Sequence, residues 1–178
     1  MVDEIKTKNV FITGLPCVGK TTLIKEACLP YLDKVGGFYT EQLIENKKRE
    51  GFIIKTFSNE QRLFAKKGLK SPYKVGKYGV DIEALEDLGI KAIQEAIDNN
   101  KIIIIDEIGS MEIFSEKFRQ ILFVALNSKN KLLATIRYKS QPFTDEIKKY
   151  QNTTVITLTR DNFLEVKYRI REWIEKEI

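Results

Sequence analysis

The segment Gly14-Leu15-Pro16-Cys17-Val18-Gly19-Lys20-Thr21 lies between an apolar strand pattern, Asn9–Thr13, and a helical pattern beginning at Lys20. That order of strand, glycine-bounded loop and helix is the G-x-x-x-x-G-K-T spacing in its proper context. Small residues let successive backbone N–H groups converge on phosphate oxygens, and the helix N-terminus adds its partial positive charge. The spacing predicts that Gly14 through Thr22 cradle the phosphates of a nucleoside triphosphate. Lys20 then reaches the β and γ phosphates, and the Thr21 hydroxyl ligates Mg²⁺. A strand–loop–helix unit of this kind also commits the chain to an α/β fold.

The run Lys101-Ile-Ile-Ile-Ile-Asp106-Glu107 is a second constraint. Four successive isoleucines suit a strand buried on both faces, as in a parallel sheet covered by helices. Ligands of such sheets bind beyond the carboxyl ends of the strands, which is where Asp106 and Glu107 fall. Asp106 is therefore read as the second Mg²⁺ ligand and Glu107 as the group that orients and deprotonates an attacking water.

The 178 residues suit one domain spanning 1–178, and 43% apolar with 31% charged residues is ordinary for a globular chain. No apolar window approaches membrane-spanning length, and the N-terminus has no secretory apolar region, so no membrane contact and a cytoplasmic location are expected. Cys17 and Cys28 have no metal-ligand spacing, and with no histidine in the chain imidazole chemistry is excluded. The net charge of +5 is spread along the chain and supports nucleic-acid binding only weakly. Asn46-Lys-Lys-Arg49, Lys66-Lys67 and Lys148-Lys149 read as solvated turns or helix ends, and Lys70, Lys74 and Lys77 as candidates for a phosphate-facing loop. A monomer is expected.

Further along the chain the patterns predict a helix over 20–32, interrupted or ended around Pro30, and a strand through Gly37-Phe-Tyr-Thr-Glu41. Strands at 38–44, 51–57 and 61–66 form an antiparallel β-meander, an insertion at about 38–66 on one edge of the sheet. Gly68–Val80 reads as a loop. Asp81 caps a helix over 82–98 that Gly89 interrupts, and a further helix covers 115–127. Strands 131–137 and 153–159 flank a short helix at 143–150, and a last helix runs over 161–176. The alternation predicts an α/β/α layered core.

These segments resemble the P-loop nucleoside-triphosphatase family that includes the cancer-related nucleoside-triphosphatase and its thermophilic counterparts. The resemblance is carried by Gly14–Thr22, Gly37-Phe-Tyr-Thr-Glu41, Val75-Gly-Lys-Tyr-Gly-Val80 and above all Asp106-Glu-Ile-Gly-Ser-Met-Glu112, with Ala134-Thr-Ile136 a weaker match. It implies a three-layer α/β/α P-loop NTPase with a RecA/AAA-like core. It also implies slow, Mg²⁺-dependent hydrolysis of nucleoside 5′-triphosphates with broad base tolerance. Leu15-Pro16-Cys17 departs from the residues that relatives often carry, at positions that mainly supply backbone.

Two further carboxylates and several cations compete for roles. Glu112 lies past Gly109, where a turn can return it to the site or leave it as a helix cap, and Glu41 ends the second strand, where some P-loop ATPases place a water-activating carboxylate. Arg137, after the strand Leu132–Ile136, is the candidate cation for transition-state charge, ahead of Arg119 and Arg160. Tyr78 or Phe143 can stack on a base without reading its edge. A nucleotide or nucleic-acid-end kinase and a nucleotide-controlled interaction module are the alternative functions; the lid candidate Lys66–Lys77 holds no arginine, which favours water as acceptor.

Overall fold

The computed structural model describes residues 4–176. The domain expectation also takes in residues 1–3 and 177–178, which lie outside the described residues. Elements follow the order β1 (Asn9–Thr13), α1 (Lys20–Cys28), β2 (Val35–Glu45), β3 (Lys48–Thr56), β4 (Gln61–Lys67), β5 (Lys74–Val75) and β6 (Tyr78–Val80). There follow α2 (Ile82–Ala84), a π-helical stretch Leu85–Ile90, α3 (Lys91–Asp98), β7 (Ile102–Ile108) and α4 (Glu116–Asn127). The chain closes with β8 (Leu132–Ile136), α5 (Pro142–Lys148), β9 (Thr153–Thr157) and α6 (Phe163–Glu175).

Alternation along the buried strands divides the core between two faces of one sheet. Ile103 and Ile105 of β7 join Phe11, Ile93, Phe118, Leu122 and Ile147 on one face. On the other, Ile102 and Ile104 meet Leu23, Ile24, Val166, Ile170 and Trp173. Helices α3, α4 and α5 thus cover one side and α1 and α6 the other, giving the three-layer α/β/α architecture. The sheet has nine strands in the order β5-β6-β4-β3-β2-β7-β8-β1-β9. Strands β2, β7, β8, β1 and β9 pair in parallel, whereas β3, β4, β6 and β5 extend the sheet antiparallel from β2.

Two boundaries differ from the sequence reading. The two strand patterns expected at 37–41 and 38–44 are one strand, β2, which pairs with β7 through Val35–Tyr39 and with β3 through Phe38–Glu45. Gly68–Val80 is not wholly a loop, because β5 and β6 form a hairpin that pairs with β4 and carries the insertion on to Val80. Strands of two and three residues are too short to show any periodicity. The first helix is interrupted near Pro30 as expected, α1 stopping at Cys28 before a 3₁₀ turn at Leu29–Tyr31 that holds Pro30.

Other features follow the sequence closely. Asp81 caps the 82–98 helix by accepting the Ala84 N–H at 3.1 Å. Gly89 is a close-packing position, since a Cβ there would lie 2.9 Å from Ile54 Cδ1 and 3.2 Å from Phe38 Cδ1.

Gly37 sets how closely β2 can approach β7, the strand that carries the carboxylates. Its φ is 108°, and a Cβ would fall 2.1 Å from the Ile104 carbonyl oxygen. Gly37→Ala therefore combines backbone strain with a clash against a strand that cannot retreat, and should lower unfolding free energy by about 3 kcal/mol. Urea denaturation checks this; a loss under about 1 kcal/mol would contradict the close approach of the two strands.

Candidate functional site

Three parallel strands end at one cleft of about 620 Å³, whose walls include Lys20, Thr21, Thr40, Asp106, Glu107 and Arg137. The loop after β1 forms its first wall. Gly19 is the left-handed residue before α1, with φ 102°, and Cys17 also has positive φ at 62°. No side chain caps α1 and its first turn holds no acidic residue, so the helix N-terminus keeps its anion-binding character. Lys20 Nζ donates to the carbonyls of Gly14 at 3.1 Å and Leu15 at 3.2 Å, which holds the ammonium over the loop. Within the expected Gly14–Thr22 set, the Leu15 side chain is exposed and Val18 packs against the core, so these two contribute backbone to the loop and no side chain to the cleft.

Asp106 is the buried centre of the site. Its Oδ2 accepts from the Thr21 hydroxyl at 2.7 Å, and its Oδ1 accepts from the Thr135 hydroxyl of β8. Tyr39 of β2 lies in register with Asp106, and the next residue, Thr40, points a backbone N–H at its carboxylate. Burial raises the Asp106 pKa above the ordinary carboxylate value, while the Thr135 and Thr21 bonds, the Lys20 charge and the Thr40 amide act in the opposite direction. The β7–β8 register shifts between Ile105 and Ile108, so Asp106 and Glu107 leave regular pairing just where the cleft begins.

Glu107 also lines the cleft, and its carboxyl is pushed up by burial and by the Asp106 charge, against the pull of Lys20 and Arg137. Glu112 is buried beside it. Its Oε2 accepts the Gly109 N–H at 3.2 Å, and the two glutamates close so tightly around Gly109 that a Cβ there would lie 2.6 Å from Glu107 Oε1 and 3.1 Å from Glu112 Oε2. Burial raises the Glu112 pKa well above its ordinary value, with the Glu107 charge adding to the effect. Glu112 therefore belongs to the site and not to the surface.

Arg137 reaches the cleft, bonded to the Ser110 hydroxyl, and its Nε is buried without a hydrogen-bond partner among the described residues. An unpartnered buried donor of this kind destabilises by about 1–3 kcal/mol and favours an arriving anion. Lys139, two residues on, lines the cleft as well.

Other candidates fall elsewhere. Glu41 lies outside the cleft lining and is held by Lys25 and by Lys55, the latter at 2.6 Å. Those bonds keep its carboxyl below the usual value, so a water-activating role does not fit it. Arg119 and Arg160 are exposed away from the cleft. Tyr78 is no base platform, being buried among core residues with its hydroxyl accepting from Arg49 Nε at 3.1 Å. Phe143 packs against the core beside Phe123. Lys70, Lys74 and Lys77 do not line the cleft, although Val75 between them does.

Thr40 and Thr135 escaped the sequence reading as site residues. The one available signal was a threonine inside the otherwise apolar strand Leu-Leu-Ala-Thr-Ile, where a fully buried hydroxyl needs a polar partner.

The candidate Mg²⁺ ligands fit such an ion. Thr21 and Asp106 supply the hard oxygen donors that Mg²⁺ prefers, already brought together by their hydrogen bond. Among the described residues no three His, Cys, Asp or Glu side chains are grouped to hold a metal, so the ion would be shared with nucleotide phosphates.

The buried Glu112 makes a stability prediction for the metal-free protein. A carboxyl whose folded-state pKa is raised stabilises the fold fully below its unfolded value, near 4.5, and loses that contribution as pH rises through the folded value. Glu112→Gln keeps an acceptor for Gly109 and cannot ionise, so its stability should gain on the parent's progressively as pH increases from 5 to 9. Urea denaturation across that range checks it; a pH-independent difference would contradict a neutral buried Glu112.

A protein-family model described as NTPase matches residues 9–178. Nucleoside-triphosphatase THEP1 of Thermotoga maritima is 42% identical over 154 residues, covering 86% of this chain and 88% of that protein. The cancer-related nucleoside-triphosphatase homolog of Mus musculus is 34% identical over 173 residues, covering 88% and 90% respectively. Among solved structures, THEP1 from the hyperthermophile Aquifex aeolicus superposes with a TM-score of 0.86 at 35% identity, over 94% of this chain and 99% of that one. A human cancer-related nucleoside triphosphatase gives 0.81 at 32% identity, over 94% and 97%.

Proposed function

Because the chain belongs to the NTPase family, whose members split nucleoside triphosphates, we propose that it does so through the Lys20–Asp106–Glu107 cleft with Mg²⁺. It is a nucleoside-triphosphate hydrolase. The observation that carries the site assignment is the bond between Thr21 of the phosphate loop and Asp106 of β7, with Glu107 beside it in the same cleft.

The loop N–H groups and the start of α1 bind the phosphate chain, and Lys20 exchanges its carbonyl partners at Gly14 and Leu15 for phosphate oxygens. Thr21 and Asp106 would hold Mg²⁺, which when bound would supply positive charge against the triphosphate. Glu107 orients a water and takes its proton as the oxygen attacks the γ phosphorus; the bond to the bridging oxygen breaks, leaving a nucleoside diphosphate and phosphate. Its raised pKa suits a group that must accept a proton near neutrality. Arg137 meets the charge that grows on the γ oxygens, with its unpartnered Nε supporting that role.

Broad base tolerance belongs to the same proposal, because neither aromatic singled out as a base platform faces the cleft. A reducing, cytoplasmic setting suits the two free thiols, exposed Cys17 and buried Cys28.

Lys20→Ala should keep the fold and lose both triphosphate affinity and turnover. Glu107→Gln should keep binding while phosphate release falls by about two orders of magnitude or more. Glu41→Gln should stay near parental turnover, since two lysines already occupy that carboxylate. Phosphate-release kinetics with a parallel binding assay check all three; loss of hydrolysis in Glu41→Gln with binding intact, beside an active Glu107→Gln, would overturn the assignment of the base.

A further inference from the structure

The cleft does not end at the carboxylates. Beyond them it continues to Gln42 of β2, Arg49 and Phe52 of β3, Phe64 of β4 and Val75 of β5, all on the antiparallel insertion. None of these is used by the hydrolytic mechanism. Arg49, expected as part of a solvated turn, is exposed just after that turn and also lines this far lobe, with its guanidinium 5.5 Å from the Phe52 ring centre and 5.9 Å from that of Tyr78.

Several observations give the lobe a ligand chemistry. Arg49 is fixed by the Nε bond to Tyr78 and by the two rings, so its terminal N–H groups are oriented at little entropic cost. Among the described residues no carboxylate is ion-paired with it, while the adjacent Glu50 is committed to Lys67 at 2.5 Å. An arginine held in this way suits bidentate binding of a phosphate group. Phe52 and Val75, both partly exposed, supply apolar surface in the same lobe, which suits a ring system.

Sheet order says which molecule this is. The phosphate loop follows β1, the carboxylates end β7, and the far lobe lies on β2, β3, β4 and β5, so the carboxylates stand between the two ends of the cleft. The γ phosphate must face Glu107, and the nucleoside of the same triphosphate therefore leads away from the far lobe. We propose that Arg49, Gln42 and Phe52 form a second subsite, on the γ-phosphate side, for a separate phosphate-bearing molecule of the nucleoside monophosphate class. This rests on the placement of the triphosphate at Lys20 and Glu107 given above.

Equilibrium dialysis tests it on protein saturated with Mg²⁺ and a nonhydrolysable triphosphate analogue. The probes are AMP, GMP, CMP, UMP and inorganic phosphate. At least one monophosphate should bind saturably, Arg49→Ala should weaken it by about tenfold or more, and triphosphate affinity and basal phosphate release should change less than about twofold. Phe52→Leu should weaken the monophosphate and spare inorganic phosphate.

No saturable binding of any probe would overturn the proposal, as would Arg49→Ala weakening the triphosphate as much as the monophosphate. Equal loss of phosphate and monophosphate in Phe52→Leu would overturn the ring contact. Failure of the hydrolytic reading shows separately, as unchanged phosphate release in Lys20→Ala.

Discussion

The candidate site is arranged around one buried carboxylate. Asp106 receives hydrogen bonds from Thr21 at the start of α1, from Thr135 near the end of β8 and from the Thr40 backbone in the middle of β2. It thereby ties three neighbouring parts of the sheet edge to the phosphate loop. Burying a carboxylate is unfavourable unless its oxygens are well satisfied, and these donors satisfy them. Removing one would leave a worse-solvated charge at the centre of the site, so the fold and the chemistry depend on the same contacts.

Around Asp106 the chain concentrates further charge. Burial raises both Glu107 and Glu112, the Asp106 charge adding to the effect on Glu107 and the Glu107 charge to that on Glu112, while Lys20 and Arg137 oppose it on Glu107. Ionising such closely placed buried carboxyls is unfavourable, and a bound cation would relieve that cost. The pairing of Glu41 with Lys25 and Lys55 shows the contrast: that carboxylate is neutralised at the surface and is not stored for chemistry.

Much of this was legible in the sequence because the signals were local. The loop from Gly14 to Thr22 is read from spacing alone, the isoleucine strand announces two-sided burial, and Asp81 before an apolar helical stripe announces a cap. What stayed hidden required long-range pairing. Strand order brings Thr40 and Thr135 to Asp106 from 66 and 29 residues away respectively in the chain. Lys25 and Lys55 reach Glu41 by the same route, and nothing in Gly37–Glu41 itself reveals them. Arg49 looked like one charge in a basic turn, since only the packing of β3 against β6 through Phe52 and Tyr78 turns it toward the cleft. The hairpin of β5 and β6 was missed because strands of two and three residues are too short to repeat the two-residue alternation.

Asp106, steadied by its threonines, is proposed to organise the metal and the phosphate loop. The most direct measurement is phosphate release as a function of free Mg²⁺ in the parent and in Thr135→Val, which removes one donor to Asp106 and leaves the phosphate loop untouched. The Mg²⁺ concentration giving half-maximal rate should rise by about tenfold or more, with turnover at saturating Mg²⁺ far less affected. An unchanged Mg²⁺ dependence in a folded Thr135→Val protein would contradict the role assigned to Asp106.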